Sequence, residues 1–379
     1  MRLKTIYLII FIALLIAILA TRCTTSPTGK ATDEEVIKIG AILSLTGQGA
    51  AWGESGRQGI ELAVSDVNAI GGINGKKLVV VYEDDGTESA KAVTAFHKLV
   101  STDKVSAIIG GTWDFNYNAI APLAETYKII LFTPQNLNAE GLIINDYTFV
   151  MRPDLRKLTW VLEDEIKDEN IKRAAIIRYV SSFGQALSSG MQDIMQKTGG
   201  ELVLDETYNT IGANDCLTMV TKVKESKAEA VFIDMMNTDI VNFIKRAKEQ
   251  NLDIRIFSHS TVEDGLANPE IENTLFNGIV YFDWDTPPSE EFRKKFREKY
   301  GEDPSRSTDG AYDSVMIIAD AFSNVEDKER IYEYIQKNSF KTINGEVTFK
   351  DNVINTRVVF VKKVVNGKVE IISKKEVVT

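Results

Sequence analysis

The chain has 379 residues, with 44 Lys and Arg against 54 Asp and Glu, so its formal net charge is −10. This acidic balance argues against binding to a nucleic-acid backbone, which requires a basic surface. Two cysteines exclude a disulfide-rich scaffold and a cysteine-rich zinc module, and 44% hydrophobic residues exclude wholesale disorder. The length predicts two domains or one large bilobed domain.

The N-terminus has the pattern of an export signal. Arg2 and Lys4 precede Thr5–Ala20, an apolar stretch of 16 residues without a charge. As a helix, this stretch spans about 24 Å, which is less than the roughly 30 Å hydrocarbon core of a bilayer, so a retained anchor is the weaker interpretation. We predict that residues 1–22 are an export signal. The folded part is then expected in the periplasm or at the outer face of the cytoplasmic membrane.

Cys23 follows this stretch directly. The segment Ala20-Thr21-Arg22-Cys23 resembles the lipobox of bacterial lipoproteins, in which the cysteine is lipidated and becomes the N-terminus. Arg22 departs from the small residue that is usual at its position, so an incidental cysteine behind a cleaved signal or a retained anchor stays an alternative. Residues 23–35 are polar and predict a flexible tether, which would join the folded part to the membrane through a lipid on Cys23.

From Val36 onward, apolar strands alternate with amphipathic helices. Strands are predicted at Ile37–Leu43, Leu78–Tyr82, Val105–Gly110, Ile129–Phe132, Ala174–Arg178, Leu202–Tyr208, Ala230–Asp234 and Arg255–Phe257. Helices are predicted at Trp52–Asn68, Ser89–Val100, Ala119–Tyr127, Leu155–Asn170, Gly184–Lys197, Cys216–Ser226 and Ile240–Gln250. This alternation indicates right-handed βαβ units and mostly parallel sheets. The predicted fold class is therefore α/β, with two doubly wound Rossmann-like lobes.

Sheets of this kind bind ligands beyond the carboxyl ends of their strands. The loops expected at those ends are Ser44–Gly53, Glu83–Thr87, Gly110–Asn116, Thr133–Asn138, Tyr179–Phe183, Asp234–Asn237 and Ser258–Thr261. A binding site is expected among them.

Enzymatic motifs in these loops are weak. Gly47–Gly53 is a near miss for the dinucleotide-binding fingerprint, because Trp52 stands where a glycine is needed. His259 lies between two serines with Asp264 nearby, which offers a nucleophile, a base and an orienting acid, although a polar loop explains the pattern better. The pair Asp84-Asp85 could bind a cation, but an acidic pair at a strand end is commonly a turn. We predict no enzymatic activity, no cofactor and no metal.

An ordered series of loose motifs covers the chain from Val36 to its C-terminus. Its members are Ile37–Gly47, Gly59–Ala63, Val67–Gly75, Tyr82–Asp85, Val105–Gly110, Leu131–Pro134, Lys299–Pro304, Ala311–Val315 and Ile343–Phe349. The series resembles the leucine/isoleucine/valine-binding protein family, the type I periplasmic solute-binding proteins of ABC transporters. Each motif alone is unspecific, whereas their order is specific.

The resemblance implies a hinge with three chain crossings. It assigns residues 36–152 and 288–341 to an N-terminal lobe and residues 153–287 and 342–379 to a C-terminal lobe. It also implies that the lobes of a monomer close on one small ligand and deliver it to a membrane permease. A ligand-sensing receptor module that feeds a signalling partner is the alternative, and an exported enzyme is a third class.

The resemblance also implies ligand-binding positions, and several of them depart from the family. The amino-acid binders of the family hold the α-carboxylate and ammonium with serine and threonine hydroxyls and backbone amides, whereas the corresponding serine position here falls on Asp114. The ligand-binding residues that we predict are Trp52, Trp113, Asp114, Gln135, Asn136, Phe183, Asp234, Asn237 and Ser260. Aromatic faces together with the carboxylates of Asp114 and Asp234 suit a cationic or amine ligand, and an amide, an aromatic acid or an unusual amino acid are the alternatives. Carboxylates that only bond loop amides are the structural alternative.

Overall fold

The computed structural model describes residues 36–138, 141–209, 216–235, 238–284, 289–305, 307–327, 330–343 and 345–378. The predicted export signal, the tether and Cys23 therefore lie outside the described residues. The part of the chain from Ile37 to Thr379 forms one compact unit.

The strands divide between two sheets and one small hairpin. In chain order they are β1 (Val36–Leu43), β2 (Lys77–Asp84), β3 (Ala107–Gly110), β4 (Ile130–Asn138), β5 (Thr148–Asp154), β6 (Arg173–Tyr179), β7 (Glu201–Tyr208), β8 (Ala230–Ile233), β9 (Arg255–His259), β10 (Val280–Asp283), β11 (Phe340–Thr342), β12 (Gly345–Val347), β13 (Phe349–Lys350), β14 (Val353–Ile354), β15 (Thr356–Val365) and β16 (Lys368–Val378).

The helices lie between these strands. They are α1 (Ala50–Ala69), α2 (Ser89–Lys98), α3 (Asp114–Tyr127), α4 (Leu155–Thr159), α5 (Glu163–Asp168), α6 (Ser182–Thr198), α7 (Leu217–Ser226), α8 (Thr238–Glu249), α9 (Thr261–Leu266), α10 (Glu290–Tyr300), α11 (Thr308–Asn324) and α12 (Ile331–Lys337). Among the described residues, no helix is both long and apolar enough to cross a bilayer.

The two sheets repeat one strand order. Within the described part of the chain, the first sheet has the order β13-β14-β5-β4-β3-β1-β2 and the second has the order β16-β15-β10-β9-β8-β6-β7. Strands β1, β3, β4 and β5 pair in parallel, as do β7, β6, β8, β9 and β10. The predicted pair of doubly wound α/β lobes is thus confirmed. We call the first sheet with its packed helices the first lobe, and the second sheet with its packed helices the second lobe.

The strands form where they do because a parallel strand is buried on both faces and therefore reads as an apolar run. All residues of β3 and β8 are buried. The aromatic side chains of Phe132 and Phe149, on neighbouring strands, stack at 5.2 Å in the core of the first lobe. In the second lobe, Phe232, Phe257 and Phe282 fill the equivalent core.

The chain crosses between the lobes three times. The first crossing follows β5, because Leu155 and Leu158 of α4 already lie in the core of the second lobe. The second lies between β10 and α10, since Phe292 and Phe296 of α10 pack against Leu62 of α1 in the first lobe.

The third crossing lies at Asn355, between β14 of the first sheet and β15 of the second. This differs from the prediction, which assigned residues 342–379 to the C-terminal lobe. Val347, Phe349 and Ile354 belong to the core of the first lobe. The short strands that carry them extend the first sheet before the chain leaves it.

Several elements differ from their predicted bounds. The predicted helix Leu155–Asn170 consists of α4, a 3₁₀ turn at Trp160–Leu162 and α5. Strand β4 continues to Asn138 through a predicted loop, and β9 continues to His259. His259 therefore ends a strand instead of lying in a polar loop, because its ring is enclosed by aromatic side chains.

Candidate functional site

The shared strand order places a topological switch point in each lobe, where the connections that leave two adjacent parallel strands lead in opposite directions. In the first lobe this point lies between β1 and β3, and in the second lobe it lies between β6 and β8. The segments that leave these strands carry Trp113, Asp114, Ser182 and Asp234. A ligand site is therefore expected where these segments approach one another.

The first lobe contributes an aromatic group made of Trp52, Trp113 and Phe115. The rings of Trp52 and Trp113 meet edge to face at 5.3 Å, and Trp113 stacks on Phe115 at 5.9 Å. A Cβ atom at Gly49 would lie 2.4 Å from Trp113 Nε1, so glycine is what lets the indole lie against this turn. Trp113 Nε1 is buried and has no hydrogen-bond partner among the described residues. This N–H group is a donor that a ligand could satisfy.

Asp114 joins the two lobes. It is the first residue of α3, and its Oδ1 accepts a hydrogen bond of 2.8 Å from the backbone N–H of Phe115. Its Oδ2 accepts from both the hydroxyl and the backbone N–H of Ser182, the latter at 3.3 Å. Ser182 is the first residue of α6. One carboxylate thus lies at the N-termini of two helices that belong to different lobes.

The segment around Ser182 is fixed by its own cap. Ser181 is the N-cap of α6, and its Oγ accepts a 3.0 Å hydrogen bond from the N–H of Gly184. Serine is among the preferred N-cap residues because its short side chain satisfies a free N–H of the first turn. The backbone N–H of Ser182 is thereby left for Asp114.

The second lobe contributes an aromatic group made of Phe183, His259 and Trp284. The ring of Phe183 lies 5.3 Å from that of His259 and 6.3 Å from that of Trp284, and His259 stacks on Trp284 at 5.9 Å. Phe183 directly follows Ser182, so this group begins beside the contact between the lobes. In each lobe, an aromatic residue is therefore the neighbour in sequence of the residue that makes the Asp114–Ser182 contact.

Asp234 is fully buried behind this group. Its Oδ2 accepts from the N–H of Tyr179 at 3.1 Å, and its Oδ1 lies 3.0 Å from His259 Nε2. Because a carboxylate only accepts, Nε2 carries the proton in this contact. His259 Nδ1 is buried and has no hydrogen-bond partner among the described residues. Contact of Asp234 with a ligand stays a prediction. Both of its carboxylate oxygens already make hydrogen bonds within the protein.

The structure describes the remaining predicted ligand-binding residues only in part. Ser260 follows β9 and is 2% exposed. Gln135 and Asn136 lie on β4, but their side chains are outside the described part, and Asn237 is outside it altogether. The site roles of these residues stay predictions.

The acidic pair Asp84-Asp85 forms hydrogen-bonded turns. Asp84 Oδ1 accepts from the N–H groups of Leu45 and Gly86 at 2.9 and 2.8 Å. Burial raises the pKa of Asp84, but these bonds and one from Thr46 outweigh it and lower that pKa. Asp85 Oδ1 accepts from the Ser44 hydroxyl at 2.7 Å. Over the described residues, no cluster of potential metal ligands is present.

Three ion pairs, two of them buried, brace the segments next to the crossings. Arg152 of β5 holds Asp309 of α11 through a 2.6 Å contact between Nη2 and Oδ1. Lys362 of β15 donates to Asp283 at 2.6 Å and to Glu263 at 2.7 Å. Burial lowers the pKa of Lys362, yet the two carboxylates outweigh burial and raise it. Lys362 therefore stays charged beside the second crossing.

Sequence reasoning did not select Ser182 or Trp284, and it considered His259 only as a weak catalytic candidate in a polar loop. Ser181-Ser182 after a strand was the available signal, since serine before a helix is typical of an N-cap. Trp284 follows directly on the apolar strand β10, at a position equivalent to the other strand-end loops. His259 gave no local signal of burial, because its neighbours come from distant segments.

Residues 36–368 match the family described as periplasmic binding protein. An amino acid binding protein of Pseudomonas aeruginosa is 29% identical over 328 residues, which cover 82% of this chain and 85% of that protein. The fold is similar to that of the branched-chain amino acid transporter substrate binding protein LivJ of Streptococcus pneumoniae in complex with isoleucine, with a TM-score of 0.76, 24% identity, and coverage of 91% of this chain and 100% of that one.

A solute binding protein of an ABC transporter from Rhodopseudomonas palustris, in complex with 3,4-dihydroxy benzoic acid, has a TM-score of 0.77 at 20% identity. That likeness covers 91% of this chain and 98% of the other. The family match spans both lobes and continues past the third crossing through β15, and the strand order agrees with it. The chain belongs to the periplasmic binding protein family.

Proposed function

We propose that this protein is an extracytoplasmic solute-binding protein that closes on one small polar ligand and delivers it to the permease of an ABC transporter. The ligand class that we propose is an amino acid, an amino-acid-like compound or an amine. The protein holds the ligand and releases it unchanged.

The observation that carries this proposal is the Asp114–Ser182 contact between the lobes, whose two residues adjoin Trp113 and Phe183 in sequence. Two lobes that meet through a carboxylate, with an aromatic group in each, can enclose a molecule with both polar and apolar parts. Sites for small molecules are typically lined by apolar and aromatic side chains with a few placed polar groups.

The names of related proteins support the ligand class. The Pseudomonas aeruginosa relative is an amino acid binding protein, and curated relatives from Brucella and Escherichia coli are Leu/Ile/Val-binding proteins. Structures with the same fold hold isoleucine, leucine, benzoate or 3,4-dihydroxy benzoic acid.

We further propose that the chain is exported and anchored through a lipid on Cys23, with residues 23–35 as the tether, and that it acts as a monomer. A Cys23→Ala variant should then leave the membrane fraction for the soluble periplasmic or extracellular fraction. Equal partition of the variant and the parent protein would contradict the anchor and leave ligand binding untouched.

Native mass spectrometry of gently purified protein tests the main proposal. We expect a mass increment that disappears on partial unfolding and refolding, and the released compound can then be identified. Titration of the ligand-free protein with that compound should change its tryptophan fluorescence, because Trp52 and Trp113 lie beside the site.

Matched variants locate the site. Trp113→Leu and Phe183→Leu should weaken binding by about tenfold or more, as loss of a buried aromatic contact does. Trp160→Phe is the control, since Trp160 is 41% exposed and bonds Asp193 elsewhere on the second lobe. A protein that carries no ligand and responds to no amino acid, amine or aromatic acid would contradict the proposed function.

A further inference from the structure

We infer that Asp114 supplies the anion between the N-termini of α3 and α6, so that the ligand meets this point with an amine or amide group and without a free carboxylate. This inference rests on the proposed function and narrows its ligand class.

The Asp114 carboxylate is nearly saturated with hydrogen bonds from both lobes. Asp114 accepts from Phe115 N in α3 and from both polar hydrogens of Ser182 in α6, so three of its roughly four acceptor positions are used. The contact joins residues 68 positions apart. It is therefore a tertiary contact between lobes and not a local cap.

The electrostatics of the two helix ends favour a negative charge at Asp114. The N-terminus of a helix carries a partial positive charge and free N–H groups, so an anion is stabilised where the first residues of α3 and α6 meet. α3 has 14 residues and α6 has 17, long enough for a full effect at each end. Here the protein itself provides that anion. A second carboxylate, brought by a ligand, would face a like charge at a position that is already satisfied.

Aromatic residues adjoin both residues of the Asp114–Ser182 contact in sequence. Trp113 and Phe115 flank Asp114 and stack on each other, and Phe183 follows Ser182 and lies 6.3 Å from Trp284. Ring faces attract cations. The buried and unpartnered Trp113 Nε1, on the residue before Asp114, offers a donor to a carbonyl oxygen such as that of an amide. His259 is 2% exposed and in ring contact with Phe183, and its Nδ1 has no hydrogen-bond partner among the described residues.

The resulting selectivity can be measured with matched probes. Calorimetric titrations compare L-leucine, leucinamide and 3-methylbutylamine, and likewise L-phenylalanine, phenylalaninamide and 2-phenylethylamine. We expect the ligand-free wild type to bind the amide or the amine of at least one set about tenfold or more tightly than the acid, because two carboxylates at close range repel even in a partly solvated site.

Three variants distinguish the effect of the Asp114 charge from the effect of its hydrogen bonds with Ser182. Asp114→Asn keeps the shape and one acceptor but removes the charge, and Asp114→Ser leaves room for an external carboxylate. In both variants we expect the preference for the amide or amine over the acid to fall by about tenfold or to reverse. Ser182→Ala removes a donor and keeps the charge, so the preference should remain. Asp303→Asn removes an equally negative group from an exposed pair with Arg297 and serves as the control.

The outcomes are decisive. A preference for amide or amine that disappears in Asp114→Asn, with the fold intact by circular dichroism, supports the inference. So does new binding of an acid by Asp114→Ser. Wild type that binds an acid at least as tightly as its amide, unchanged in Asp114→Asn, overturns the inference while the proposed function stands. If neither wild type nor variants bind any of the six probes, the inference is also overturned, and native mass spectrometry then decides separately whether the protein binds a solute.

Discussion

The buried pair of Arg152 and Asp309 should be the most costly ion pair to break in the first lobe. It joins β5, just before the first crossing, to the first turn of α11. The Arg152 side chain is 3% exposed and that of Asp309 is 5% exposed. The Asp309→Ala substitution therefore leaves a guanidinium that water cannot solvate.

The expected loss in the free energy of unfolding follows from the burial of the pair. Removal of one partner from a buried pair costs about 3–5 kcal/mol. Arg152 Nε still donates to the Pro134 carbonyl at 3.0 Å, so we expect a loss near the lower end, about 3 kcal/mol. The control is Glu333→Ala in α12, where the Lys337–Glu333 pair is 70% and 37% exposed. Exposed pairs at this helical spacing contribute only about 0.3–0.5 kcal/mol.

Equilibrium unfolding in urea measures both losses. The protein must first be freed of ligand, because a bound ligand adds its own stabilisation. Tryptophan fluorescence and far-ultraviolet circular dichroism should give coincident transitions before a free energy of unfolding is extrapolated.

A double variant tests the physical reason. Arg152→Met combined with Asp309→Leu removes both charges and keeps apolar volume, so it should recover at least half of the loss caused by Asp309→Ala. A loss below about 1 kcal/mol in Asp309→Ala, or a double variant less stable than the single one, would refute the account of an uncompensated buried charge.

Three further predictions concern other parts of the fold. A hydrogen bond from Arg156 lowers the pKa of Asp193, so its stabilisation is present above the unfolded pKa of about 3.9 and is lost as the pH falls through the lower folded value. The difference in urea midpoint between wild type and Asp193→Asn should accordingly shrink between about pH 5 and pH 2, and a constant difference would contradict this. Gly53→Ala should lower the free energy of unfolding by about 3 kcal/mol or prevent folding, because its Cβ would lie 2.0 Å from the Ser44 carbonyl oxygen; a melting temperature equal to wild type would show that α1 can shift freely. Cys216 is 4% exposed, so peptide mapping should find it unmodified by a thiol reagent in the native protein and modified in denaturant, whereas labelling at equal rates in both states would contradict its burial.

The sequence predicted the sheets well because the physics of a buried parallel strand is local. Strands such as β3 and β8 consist of apolar residues, and turns or helices separate them, so the alternation was visible without any tertiary information. The third crossing was misplaced because β13 and β14 have only two residues each. Strands this short carry no periodic pattern, and they exist only because the edge of the first sheet is available to pair with them.

The sequence could predict where the candidate site lies but not which of its residues contact one another. The family resemblance implied Trp113, Asp114 and Phe183, and all three lie in loops that were expected at strand ends. That Asp114 bonds Ser182 depends on how two lobes meet, which no window of sequence records. The burial of His259 likewise depends on Phe183 and Trp284, which come from two distant segments.

The third crossing also constrains the motion available to the two lobes. Only Asn355 separates Ile354, paired into one sheet, from Thr356, paired into the other. A single residue spans at most about 7 Å between its neighbours' Cα atoms and contributes two soft dihedral angles. Any swing of one half against the other must therefore pivot about this point, since the polypeptide there can turn but has no slack to stretch.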